Sequence, residues 1–95
     1  MTTIEVLEAA LESLTEERWR KGPIIRVGTG DTCLSLSILF AASSGEEEAL
    51  AKHEVCQTID GAELVLWNDA PDRTLAQVRA VVVETIERLK QGGGR

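Results

Sequence analysis

Three times in this chain of 95 residues, a Thr or Ser is followed three positions on by Glu or Gln at the head of an apolar repeat. The pairs are Thr2 with Glu5, Ser44 with Glu47, and Thr74 with Gln77. In such a capping box the hydroxyl accepts a hydrogen bond from the backbone N–H three residues ahead. The Glu or Gln side chain reaches back to the first N–H, so two donors orphaned by the helix start are satisfied together. Three helix starts spread over so short a chain leave little length for anything else. At ~100–200 residues per domain there is one domain here, and it buries only about 60–70% of the surface its unfolded chain exposes. A TIM barrel or a doubly wound nucleotide-binding enzyme does not fit.

After the first box, Ile4, Leu7, Leu11 and Leu14 recur as one helical stripe with Ala10 beside it, and Glu5, Glu8 and Glu12 fall outside it. Thr15 restarts a turn through Trp19, and Gly22-Pro23 stops it. Residues 24–32 read as an extended segment or hairpin: Ile24, Ile25 and Val27 are β-branched, and Gly28-Thr29-Gly30-Asp31 is turn chemistry. Residues 33–42 fit two patterns. Leu34, Leu36, Ile38 and Phe40 alternate as in a strand, whereas Leu34, Ile38 and Ala41 recur as in a buried helix with Asp31 as its N-cap. The Ala-Ala-Ser-Ser ending favours the helix.

The second box opens a helix with Glu46, Glu47 and Glu48 in its first turn, where the helix dipole favours them. Ala49, Leu50, His53 and Cys56 are expected to share its packed face. Residues 62–67 read as one or two helical turns or a short strand, and Asn68 to Asp72 as a turn. The third box opens a helix with Leu75, Val78, Val82, Ile86 and Leu89 in register, Arg88 and Lys90 in its last turn and Gly92-Gly93-Gly94 after it. The expected fold is therefore mainly α, a small bundle of about four helices with a short β-hairpin or extended segment, with an α+β arrangement as the alternative. Residues 1–91 form the single domain and residues 92–95 a flexible Gly-rich tail.

Trp19, Phe40 and Trp67 are the only aromatic residues, so the core must be aliphatic and each Trp is a candidate anchor. The net charge of −6 disfavours direct nucleic-acid binding, which needs a basic face. The charge is also segregated: −3 over residues 1–14, +2 over 15–26, −4 over 46–60 and +3 over 73–95. Two cysteines fit reduced thiols in a cytosolic protein rather than a disulfide scaffold. Neither a signal peptide nor a stretch of ~20 apolar residues able to span a membrane is visible.

Each constellation with chemical potential has a simpler reading. His53 and Cys56 with Cys33 could supply three metal ligands, but structural zinc sites use four in tighter motifs. Cys33 or Cys56 with His53 could form a nucleophile–base pair, but no orienting third group can be picked out. Gly28-Thr29-Gly30-Asp31 lacks the Lys of a phosphate-binding loop and reads as a tight turn. No catalytic, metal or cofactor residue is therefore assigned. The densest stretch of special residues is Trp67-Asn68-Asp69-Ala70-Pro71-Asp72-Arg73-Thr74. Its structural reading is a corner, with Trp67 as anchor and Thr74 as cap. Its functional alternative is a ligand pocket lined by Asn68, Asp69 and Arg73.

Trp19 followed by Gly22, Cys33-Leu34 ahead of a helix to Ala42, and Trp67-Asn68-Asp69 leading through Arg73-Thr74 to Val78 together carry a family likeness. Over about residues 4–90 the chain resembles an uncharacterised domain family of actinobacteria and their phages. It departs from that family in having Ser35-Leu36-Ser37 where a small Gly-Ala pair is usual, and in lacking a longer acid- and Gly-containing hairpin. The resemblance implies a mostly helical fold and an accessory protein, and brings no catalytic residue.

The expected function is protein–protein interaction with a host or phage protein, in the cytoplasm, which is that of the host cell if the chain is phage-encoded. The candidate surfaces are Glu46, Glu47 and Glu48 on one side, and Arg18, Arg20, Lys21 and Arg26 on the other. The alternatives are a ligand-binding domain or enzyme using the corner, and an acidic mimic of DNA built from the carboxylates of the first helix and of residues 46–60. A homodimer through leftover apolar surface is compatible with so small a core.

Overall fold

The computed structural model describes residues 1–22 and 30–93. Five α-helices follow in order: α1 Thr3–Ser13, α2 Leu34–Ala41, α3 Gly45–Thr58, α4 Leu64–Asn68 and α5 Leu75–Arg88. The chain then leaves α5 through a wider turn, Leu89–Gly93.

Two of the three capping boxes are complete. Thr2 Oγ1 accepts from Glu5 N at 3.1 Å while Glu5 Oε1 accepts from Thr2 N at 2.8 Å. Thr74 and Gln77 exchange the same pair at 3.2 and 3.0 Å. At α3 only half the box forms. Ser44 Oγ accepts from Glu47 N at 3.2 Å, but the Glu47 carboxylate turns to Ser43 N and to the Met1 ammonium. α3 ends on two left-handed residues, Asp60 (φ 58°) and Gly61 (φ 81°), and Gly61 N–H donates to Cys56 O at 2.7 Å.

α1 packs against α2, α3 and α5 and is the centre of the bundle. The core joins Val6, Leu7, Ala10 and Leu14 to Leu34, Ile38, Ala51, Val55, Leu64, Val78, Val82, Ile86 and Leu89. It is aliphatic, as the composition requires. Ile4 and Leu11, expected in the α1 stripe, are only partly buried, and Val6 is completely so. An element packed on three sides buries more than a single stripe.

The expected mixture of about four helices and a hairpin is corrected here. Most of residues 62–67 falls in a fifth helix, α4, which starts at Leu64 and runs on through Asn68, expected in the turn; the Glu63 carboxylate caps it on the N–H groups of Val65 and Leu66. Among the described residues there is no β-strand, so the α+β alternative falls as well. Pairing is limited to an isolated parallel bridge between Trp19 and Thr32. Most of the expected hairpin, residues 24–29, lies outside the described residues, as do Arg26, Gly28, Thr29 and residues 94–95 of the tail.

Residues 34–41 are helical, not a strand. Their N-cap is Cys33 rather than Asp31, and its side chain makes no capping bond. Asp31 instead lies 3.6 Å from Arg20. On α3 the buried residues are Ala51 and Val55, whereas Ala49, Leu50 and His53 face outward. The helix has too little amphipathicity to fix its own orientation, so contacts with its neighbours chose the face.

Candidate functional site

The corner after α4 is built around Asn68, which is completely buried. Its Oδ1 accepts from Trp19 Nε1 at 2.8 Å and from Leu34 N at 3.2 Å. Its Nδ2 donates to Arg20 O at 3.1 Å and to Asp69 Oδ1 at 3.0 Å. One amide thus ties the segment after α1 and the start of α2 to the end of α4. The bond to Leu34 N supplies the cap that Cys33 does not. An amide offers two donors and one acceptor oxygen with two lone pairs, and here all four positions are filled.

Neighbouring side chains are committed in the same way. Asp69 Oδ1 also accepts from Gly22 N at 2.8 Å. Lys21 Nζ donates to Pro71 O at 2.8 Å. Arg73 Nε donates to Trp67 O at 2.8 Å while its guanidinium stacks 3.7 Å above the Trp67 ring. Thr74 caps α5. The structure therefore brings Trp19, Trp67, Asn68, Asp69, Arg73 and Thr74 together as one corner. Among the described residues no buried side-chain nitrogen or oxygen lacks a partner. The Asn68 amide has no unpaired polar end left to offer a ligand, whereas Arg73 bonds through Nε and Asp69 through Oδ1 alone.

The charged candidate surfaces are also partly committed. Glu47 holds the Met1 ammonium at 3.0 Å, and Glu48 pairs with Lys52 one helical turn on. Glu46 remains exposed without a polar partner among the described residues. The Ser43 N–H and the Met1 ammonium hold the Glu47 carboxyl below its ordinary value. The same pairing raises the pKa of the Met1 amine. Arg20 donates to Trp19 O and Glu17 O, and the exposed Arg18 makes no side-chain hydrogen bond or ion pair among the described residues. Glu8 lies 3.7 Å from Lys90, and Glu54 3.0 Å from Arg88. Glu8, Glu47, Glu48 and Glu54 of the acidic helices thus each lie beside a cation.

Shallow depressions mark the surface of the described residues. One, of about 440 Å³, runs along the outer side of α5 between Ala80, Val83, Glu84, Glu87, Arg88 and Gln91. Another, of about 350 Å³, lies between the end of α1 and the start of α5, where Arg79 donates to the carbonyls of Leu11 and Leu14. Among the described residues no three His, Cys, Asp or Glu side chains cluster as metal ligands, and no helix is long and apolar enough to cross a membrane. His53 is exposed beside Gln57, and Cys33 and Cys56 carry free thiols.

The feature that sequence reasoning missed is the outward side of α2. Leu34, Ser37 and Ile38 face the core, whereas Phe40 is 72% exposed, Leu39 is 41% exposed and Leu36 is partly exposed between them. The neighbouring α4, packed against α2, also exposes Val65 and Leu66, the latter by 73%. The available signal was that α2 has no charged residue on any side. A helix apolar all round is normally enclosed by protein or lipid.

Comparison with known proteins adds only the family. No curated protein and no solved structure matches the chain. A model described as a family of unknown function, DUF6197, matches residues 1–88, and the chain belongs to that family.

Proposed function

We propose that this protein is a small association domain that works by binding another protein and carries out no chemistry of its own. The observation that supports this is the contrast between the corner and α2. The Asn68 amide at the heart of the corner is wholly committed to the fold, while Leu36, Leu39 and Phe40 stand on the surface of a helix with no charge. Exposed apolar patches of roughly 300–600 Å² on small proteins are commonly functional. On this reading it is an accessory protein of an actinobacterium or of a phage infecting one. It acts in the cytoplasm of that cell on a host or phage protein, with Glu46 and Arg18 as open charges elsewhere on its surface.

A photo-crosslinking residue at position 40 tests this in cells that contain the native partner. A discrete protein adduct is expected at position 40 and none at position 12, on the solvent side of α1. Equal labelling at both positions, or none at either, overturns the reading.

A further inference from the structure

We propose that the outward side of α2 is the two-fold face of a homodimer, closed by α2 of a second copy. The proposal rests on the reading of the protein as an association domain and names the first occupant of its apolar face.

Three observations lead there. Leu36, Leu39 and Phe40 stand at helical spacings of three and four, so they line one side of α2 opposite Leu34, Ser37 and Ile38. That side is as apolar as the buried one, and a second α2 is an equally apolar surface to set against it. Charge points the same way. Two copies of a chain with net charge −6 repel one another over most approaches, but residues 32–45 contain no charged side chain. Two copies can therefore meet along α2 without placing like charges together, and the one carboxylate on the neighbouring α4 cap, Glu63, is held by the N–H groups of Val65 and Leu66.

Area is the third argument. Phe40 and Leu66, with Leu36, Leu39 and Val65, leave on the order of 450 Å² of apolar surface open on each copy. A standard interface covers about 800 Å² per partner, of which about 56–65% is apolar. The patch thus matches the apolar part of a dimer interface. A two-fold contact needs only that the patch complement itself.

Sedimentation equilibrium over a dilution series, run on the full chain, tests the proposal. The wild type is expected to reach twice its 10.3 kDa mass. Phe40→Glu should weaken self-association at least tenfold, as for a central apolar anchor, with an unchanged far-UV circular dichroism spectrum. Leu50→Glu, on the exposed side of α3, should leave self-association as it is. A wild type that stays monomeric overturns the dimer, as does a dimer that survives Phe40→Glu or is lost in Leu50→Glu. A monomer that still gives the position-40 adduct assigns the face to a different protein and leaves the association reading standing. A monomer with no adduct removes both.

Discussion

Asn68 and Phe40 stand where the other's chemistry would be expected. The amide at the centre of the polar corner is completely buried, and the largest side chain of the most apolar helix is 72% exposed. Asn68 can be inside because all four hydrogen-bonding positions of its amide are met at 2.8–3.2 Å, which offsets the loss of water. Phe40 is outside because α2 has only one side against the bundle, and Leu34 and Ile38 already occupy it. The difference teaches that burial here follows where partners are found, rather than how apolar a residue is. One region holds the fold together. The other is left for association.

Substitutions should separate the two regions. Asn68→Ala leaves Trp19 Nε1, Leu34 N and Arg20 O without their partner, and should lower stability in urea by about 3–5 kcal/mol. A loss below about 0.5 kcal/mol would mean that the corner does not hold the fold. Arg73→Ala removes one hydrogen bond and the stacking on Trp67. It should cost about 1–2 kcal/mol and redden the Trp67 fluorescence. Thr74→Ala should cost about 1 kcal/mol through the lost cap of α5. At concentrations where the wild type is monomeric, Phe40→Glu should change stability by less than about 0.5 kcal/mol, since little of the side chain is buried. A large loss there would show that α2 is part of the core on both sides.

The smallest expected effect is a pH dependence at the start of the bundle. Glu5 and Glu47 have depressed pKa values because backbone N–H groups bond their carboxylates, and the Met1 amine has a raised one because Glu47 holds it. A depressed carboxylate contributes stability above its unfolded value of 4.5 and loses it as pH falls through the folded value. A raised amine contributes below its unfolded value of 8.0 and loses it as pH rises through the folded one. Stability from these ties is therefore complete between pH 4.5 and 8.0. Thermal unfolding measured across that range should show a plateau with shallow edges. Glu47→Gln should flatten the alkaline edge and leave the acid contribution of Glu5.

Local signals explain which parts of the fold were legible. Thr2 and Thr74 found their expected partners because a capping box closes within three residues. Leu7, Leu14, Val78, Val82 and Ile86 are buried as their spacing indicates. The corner was recognised as a structural unit from its residue types. Its actual work was not, because Asn68 reaches 49 residues back to Trp19 and 34 back to Leu34. The charged candidates were legible as charges, but their pairing was not. Glu47 belongs to Met1, 46 residues away.

By itself the sequence determined where three helices begin, that the core is aliphatic, and that Trp67 opens a polar corner. These are consequences of spacing and composition, and act over a turn or two of helix. Only the tertiary structure decided that α3 buries Ala51 and Val55 rather than Ala49 and Leu50, since a weakly amphipathic helix takes its orientation from its neighbours. The tertiary structure also decided that α2, lacking a cap of its own, is capped by Asn68 from α4. It left Phe40 in water for the same reason: a short helix at the edge of a small bundle has one side to bury, and this one is apolar on both.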